Sequence, residues 1–181
     1  MKTATRNLED DHVHILRLIE VMDRINGSDA PDVEDLGTIV SLIKNFADGL
    51  HHAKEENQFF PLLAERGFSL SQGPVAVMIH EHVAGRQYVS GMADAIASYK
   101  DGNMVALAEI YENMSGYAEL LKNHIAKENN ILFRMADSKL SDSDNKILLE
   151  EFAKAESSYI SGTPGEFIRK IDQLAEVYKT G

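Results

Sequence analysis

The sequence predicts an all-α protein: an antiparallel up-down-up-down four-helix bundle with a C-terminal helical extension. Three observations predict it. Only four prolines, at positions 31, 61, 74 and 164, interrupt the 181 residues. Apolar residues between them recur at three- and four-residue intervals, and no window alternates as a strand would. Short turn segments divide four long periodic stretches, the pattern of helices that return on their neighbours.

The first helix is expected over residues 8–25, where Leu8, His12, Ile15, Leu16 and Ile19 share a face, and it stops at Asn26-Gly27. After a turn at residues 28–32, a second long helix covers about 33–64 and ends at Arg66-Gly67. The third opens near Ser71–Pro74, with Ser71 as its N-cap, and runs to about Lys100 before Asp101-Gly102. The fourth spans roughly 104–136. A fifth follows Ser141–Asp144 and reaches about Tyr159. A sixth starts at Thr163-Pro164-Gly165-Glu166, a capping box with proline at the first helical position. Residues 1–138 are thus expected to form the bundle. Residues 139–181, which hold no histidine, read as a helical hairpin packed upon it.

Composition excludes several classes of function. With 29 acidic and 18 basic residues the net charge is −11, which argues against a nucleic-acid or anionic-membrane surface. There is no cysteine, so thiolate nucleophiles, thiolate metal sites and iron–sulfur clusters are out, and a metal would need nitrogen and oxygen ligands. The N-terminal segment lacks a secretory apolar core, and no apolar run approaches the roughly 18 residues of a membrane span. A cytoplasmic location is expected. No phosphate loop, nucleotide fingerprint or nucleophile–base triad is present.

One internal repeat carries the chemistry. HHAKEENQFF (51–60) and HIAKENNILF (124–133) agree at His51/His124, Ala53/Ala126, Lys54/Lys127, Glu55/Glu128, Asn57/Asn130 and Phe60/Phe133. Two similar helical hairpins related by an approximate twofold are therefore expected. Each half offers His-x-x-x-Glu, which sets an imidazole and a carboxylate one turn apart on one helix face. One pair continues an apolar stripe of Ile43, Ala47, Phe59 and Leu62. The other continues Tyr117, Leu120, Leu121, Ile131, Leu132 and Met135. A carboxylate on such a stripe is costly to bury unless a cation faces it. A single such pair would read as a surface ion pair; two in register do not.

On helix one, His12 lies among apolar neighbours, whereas His14 lies among Asp10, Asp11 and Arg17. On helix three, patterning leaves His80 and His82 as alternatives. His52, beside Asp48 and Glu56, reads as facing solvent or standing behind the ligands. Four imidazoles and two carboxylates suit two metals bridged by the carboxylates, with iron, manganese or zinc all compatible with such ligands.

Asp11-His12-x-x-Ile15, His51-x-x-x-Glu55-Glu56-x-x-Phe59-Phe60-Pro61, Glu81-His82-x-x-Gly85-Arg86 and His124-x-x-x-Glu128-Asn129-Asn130-x-Leu132-Phe133 together resemble the hemerythrin-like HHE cation-binding family. The resemblance covers about residues 5–137. It implies metal ligands His12, His51, His82 and His124, with Glu55 and Glu128 as bridging carboxylates. It thereby prefers His82 to His80, and it implies two iron ions, with an oxo or hydroxo bridge raising the ligands of each to five.

Oxygen-carrying hemerythrins are similar but place His-x-x-x-His on the third helix and close with His-x-x-x-x-Asp. Here Arg86 stands four residues after His82 and Ala84 four after His80, and the fourth helix carries His124 and Glu128. This set is closer to the di-iron proteins linked to iron–sulfur cluster repair and nitric-oxide stress. The expected function is a non-heme di-iron protein that reacts with or senses O2, peroxide or nitric oxide. The alternatives are a reversible oxygen-binding hemerythrin and a structural bundle with no metal role.

Overall fold

The computed structural model describes residues 2–179, and among these every regular element is helical. Helix α1 is Ala4–Ile25, with the Thr3 hydroxyl accepting a bond from the Arg6 amide, and it ends before Gly27 at φ +88°. Helix α2 is continuous over residues 33–65, opened by the Asp32 carboxylate accepting from the amides of Glu34 and Asp35. Helix α3 is Gly73–Lys100 and α4 covers residues 106–137. Helices α5 (Asp142–Ser158) and α6 (Pro164–Val177) each begin in a complete capping box, at Ser141/Asp144 and Thr163/Glu166.

The third helix departs from expectation at its start. Ser71 caps nothing; its hydroxyl meets that of Ser69, and Gln72 is the cap position. None of the helices described is long and apolar enough to cross a membrane.

α2 and α4 are not α-helical throughout. Each winds into wider π turns around the His-x-x-x-Glu segments, over Ile43–His52, Glu55–Phe59 and Glu128–Leu132. An i→i+5 turn rotates the chain less per residue than an i→i+4 turn, so the inward face changes phase. Two expectations change for this reason. His52, expected either to face solvent or to stand behind the ligands, is buried directly beside His51, so the solvent-facing alternative fails. Ile131 and Met135, expected inside, are exposed, while Leu132, Phe133 and Ala136 take the interior.

Each of α1 to α4 packs on its chain neighbours, α4 also packs on α1, and α3–α4 is the most extensive contact. Gly116 permits that closeness, since a Cβ there would collide with the Tyr88 ring. The interior holds two apolar cores. One gathers Ile15, Ile19, Ile43, Ala47, Val89, Leu121 and Ile125. The other gathers Leu8, Phe59, Phe60, Met78, Leu132 and Phe133. Every long helix runs through both, and between them lies one buried polar layer.

The C-terminal helices belong to these same cores. Phe167, Ile171 and Leu174 of α6 enter the first, against α1 and α2, and Leu148 and Phe152 of α5 enter the second. The α5–α6 connection is anchored where Tyr159 donates to Asn45 Oδ1 at 3.1 Å across Gly49. A Cβ on Gly49 would meet the Tyr159 hydroxyl and lie 2.9 Å from the Lys44 carbonyl oxygen. Gly49→Ala is therefore expected to destabilise the protein by about 1–3 kcal/mol, as an overpacked site does. Denaturant unfolding checks this, and Tyr159→Phe should cost much less.

Candidate metal centre

The polar layer is built from His12 of α1, His51, His52 and Glu55 of α2, His82 of α3, and His124 and Glu128 of α4, all buried. The structure thus brings together all six residues expected as ligands. His80, the alternative on helix three, is exposed, and His14 is only partly buried, its ring edge against Phe46.

The six divide into two sets. The Nε2 atoms of His12 and His51 face each other at 3.0 Å, and those of His82 and His124 at 3.2 Å. The carboxylates lie between the pairs. Glu55 Oε1 is 3.7 Å from His51 Nε2 and its Oε2 is 3.4 Å from His82 Nε2, while Glu128 Oε2 lies 3.2 Å from His12 and 3.3 Å from His124.

Each imidazole is fixed from behind. His12 Nδ1 meets Asn129 Oδ1 at 2.8 Å, His51 Nδ1 meets Asp11 Oδ2 at 3.3 Å, His82 Nδ1 meets Glu56 Oε1 at 2.7 Å, and His124 Nδ1 meets Glu81 Oε2 at 3.0 Å. All four partners are acceptors, so Nδ1 carries the hydrogen and each neutral ring turns its Nε2 lone pair inward. Lone pair faces lone pair, flanked by carboxylate oxygens. All four oxygens of Glu55 and Glu128 lack a hydrogen-bond partner. Such an arrangement is repulsive unless protons or cations occupy its centre.

The donors fit a pair of metal ions. Neighbouring ligands of an octahedral ion bound at about 2.1 Å are roughly 3.0 Å apart, close to both nitrogen–nitrogen separations. Without a cation the neighbouring carboxylates favour a proton on two of the rings, His82 and His12. Burial pushes His82 down, yet Glu55 and Glu56 outweigh it and carry it up to about 9. Burial likewise opposes the charged form of His12, and Glu128 again prevails, raising it. His52 moves the other way: burial and the neighbouring imidazoles of His82, His51 and His124 push it well below its ordinary value.

The repeat now has a physical meaning. Lys54 Nζ binds Asp11 Oδ2 at 2.6 Å, and Lys127 binds Glu81, so each lysine secures the carboxylate behind its own half's histidine. Phe60 stacks on His82 and Phe133 on His12, so each phenylalanine buttresses an imidazole on a neighbouring helix. The halves differ in closure. Lys54 is fully buried, also donating to Asn7 Oδ1 and to Glu156 Oε1 of α5 at 2.8 Å, whereas Lys127 is partly exposed. Arg86 binds Asp48 and Glu56, completing a path from the surface to His82.

His52 was missed as part of this layer. Its ring stacks on His82 with centroids 3.9 Å apart, and a nitrogen of His52 lies within 4.8 Å of ligand atoms of Glu55, His82 and His124. Adjacent histidines in one helix normally point apart, and only the π winding turns both inward. The doublet His51-His52 was the available clue.

A buried set of imidazoles and carboxylates contributed by four helices defines a helical protein with a candidate cation site. Comparison with known families gives it a place: residues 3–136 match the Hemerythrin HHE cation binding domain, and the chain belongs to that family. Among curated proteins it is 29% identical over 132 residues to a probable iron-sulfur cluster repair protein of Haemophilus influenzae, covering 66% of this chain and 54% of that one. It is 30% identical over 108 residues to the iron-sulfur cluster repair protein DnrN of Neisseria gonorrhoeae, covering 55% and 67%. The match thus spans about half the length of the first relative. No solved structure matches the chain significantly.

Proposed function

We propose that this protein is a non-heme di-iron protein of iron–sulfur cluster maintenance, reacting with or sensing O2, peroxide or nitric oxide. In this reading the four long helices act as an antiparallel four-helix bundle around the iron. The observation that carries it is the pair of inward-facing imidazole couples with four unpartnered carboxylate oxygens between them. His12 and His51 would hold one iron, His82 and His124 the other, and Glu55 and Glu128 would bridge. The names of the two relatives support the role in cluster repair, which would place the protein in the cytoplasm.

Bound iron supplies redox chemistry and coordination positions that the protein does not fill. The chain's own residues do the rest. Asp11, Glu56, Glu81 and Asn129 hold the Nδ1 hydrogens and so aim each ring. Lys54 and Arg86 neutralise the carboxylates behind His51 and His82. The two apolar cores exclude bulk water from either end of the layer. Two imidazoles and a share of two carboxylates would leave each iron short of six ligands, a feature of reactive rather than closed sites.

One observation favours the oxygen-carrier reading. His52 can offer a third imidazole on the side of His82 and His124, although Arg86 occupies the place where carriers have theirs. A single experiment separates the two. Protein purified without chelator is assayed for iron, manganese and zinc, then reduced anaerobically and exposed to O2. The proposal expects two irons per chain and oxidation that does not reverse when the gas is removed. An oxygenated spectrum that persists for minutes and reverses cleanly would establish the carrier, and absence of iron after iron-replete expression would end both readings.

A further inference from the structure

Helix α5 lies beyond the matched family domain, which ends at residue 136, yet it sends one side chain back to the polar layer. Asn145, Leu148, Phe152 and Glu156 recur at three- and four-residue intervals and so share one face of α5. The first three are buried against the bundle. Glu156 ends the stripe, where an apolar residue would continue the packing, and its Oε1 accepts from Lys54 Nζ at 2.8 Å. That ammonium is fully buried, 5.5 Å from the centre of the Phe152 ring.

One carboxylate suffices to neutralise a buried ammonium, and Asp11 already binds this one at 2.6 Å. Glu156 is a second, and the reason for it lies in Asp11 Oδ2. That single oxygen accepts from Lys54 and also meets His51 Nδ1, at 3.3 Å the longest of the four contacts behind the imidazoles. Two donors therefore compete for one acceptor. In the other half of the repeat they do not: Lys127 takes Glu81 Oε1, while His124 Nδ1 takes Oε2 at 3.0 Å. Glu156, with Asn7 Oδ1 at 3.2 Å, occupies the two remaining hydrogens of the Lys54 ammonium and so limits its pull on Asp11.

We propose that Glu156 is a positioning residue for the metal position at His12 and His51, acting through Lys54 and Asp11 on the His51 ring. With the Glu156 charge in place, Asp11 keeps the capacity to accept the His51 Nδ1 hydrogen, which orients the ring and strengthens Nε2 as a donor. Without it the ammonium settles on Asp11, the bond behind His51 weakens, and one negative charge is lost from that side of the centre. Both changes act against a cation there. The inference rests on the di-iron reading above and adds that a helix outside the family domain tunes one of the two positions.

Cobalt(II), which accepts the same nitrogen and oxygen donors as iron(II), is the probe, titrated anaerobically into the full chain in competition with a chelator. Loss of a group directly behind a ligand costs roughly 10–100-fold in metal affinity. Glu156 stands further back, so Glu156→Gln, which keeps the shape, is expected to weaken one position by about threefold to tenfold and to leave the other unchanged. In proton spectra of the cobalt-loaded protein, one exchangeable imidazole N–H resonance should shift and exchange faster with solvent. Asn145→Ala removes the acceptor of the Ala4 amide at the other end of α5, roughly 16 Å along the helix. It should lower Tm and leave cobalt binding unaltered. Adding Glu156→Gln to Lys54→Met should weaken cobalt no further than Lys54→Met alone. Should Lys54→Met not fold, the contrast between Glu156→Gln and Asn145→Ala decides alone. If the wild type takes up neither cobalt nor iron, the metal reading itself fails, and this inference with it. If the wild type holds two metals and Glu156→Gln holds them equally well with its N–H resonances unmoved, this inference alone is wrong. It is equally wrong if Asn145→Ala weakens cobalt as much as Glu156→Gln does, because Glu156 then only holds α5 in place.

Discussion

Glu128→Ala and Glu55→Ala are each expected to abolish stable binding of both metals, not of one. Each carboxylate reaches an imidazole from both couples, Glu55 to His51 and His82, Glu128 to His12 and His124. Its removal takes one ligand from each position and leaves the partner carboxylate unsupported. Affinity should fall by more than the roughly 10–100-fold typical of losing a group behind a ligand. Glu56→Ala provides that smaller comparison. Sequence phase places Glu56 on a polar face and makes its loss mild; the 2.7 Å contact with His82 Nδ1 makes an intermediate loss the expectation. Metal content after desalting, followed by chelator competition, gives the order. Full retention of two metals in Glu128→Ala would show that Glu128 is not a bridge.

The second large effect is on stability. Removing the metals leaves lone pairs facing at 3.0 and 3.2 Å and four unpartnered carboxylate oxygens in the middle of the interior. The carboxylates beside His12 and His82 favour a proton on those rings, which relieves this in part. Ligand bound at 100 to 1,000 times its Kd stabilises by about 2.7–4.1 kcal/mol per site. For a chain of this size 1 kcal/mol moves Tm by roughly 2–4 °C. Metal-free protein should therefore melt at least about 10 °C lower, with restoration on adding iron back. Calorimetry of the two forms tests it, and an unchanged Tm after verified removal would mean that the layer does not hold metal. Because the layer joins two cores, the loss should appear as one cooperative shift rather than as a separate early transition.

Much of this was legible in the residues. The repeat of His-x-x-x-Glu with Lys54/Lys127 and Phe60/Phe133 indicated two similar halves, and in the structure the repeated histidine, lysine, glutamate and phenylalanine have matching kinds of partner in both. The four-residue spacing paired His51 with Glu55 and His124 with Glu128, because i and i+4 share a helix face whether or not the turn is slightly wider. The start of the last helix followed from the Thr163–Glu166 capping box, which is a local interaction. The phase within α2 and α4 did not follow. It depended on π turns at Ile43–His52, Glu55–Phe59 and Glu128–Leu132, and nothing in residue type alone demands an i→i+5 bond.

The sequence by itself determined an all-α chain, the absence of thiolate metal donors, and the pairing of His51 and His124 each with a carboxylate one turn away. These rest on composition and on spacing within single helices, which are local. Between His82 and His80 helical patterning left the choice open, the family resemblance preferred His82, and the structure buries it. Only the tertiary structure decided that His52 joins the layer and which acceptor stands behind each ring. The same holds for Glu156 of α5, which closes the buried Lys54 from 102 residues away. These are contacts between helices. They depend on rotation about each helix axis, which the packing of the two cores fixes collectively, and a shift of one residue in that rotation moves a histidine from solvent to the metal layer.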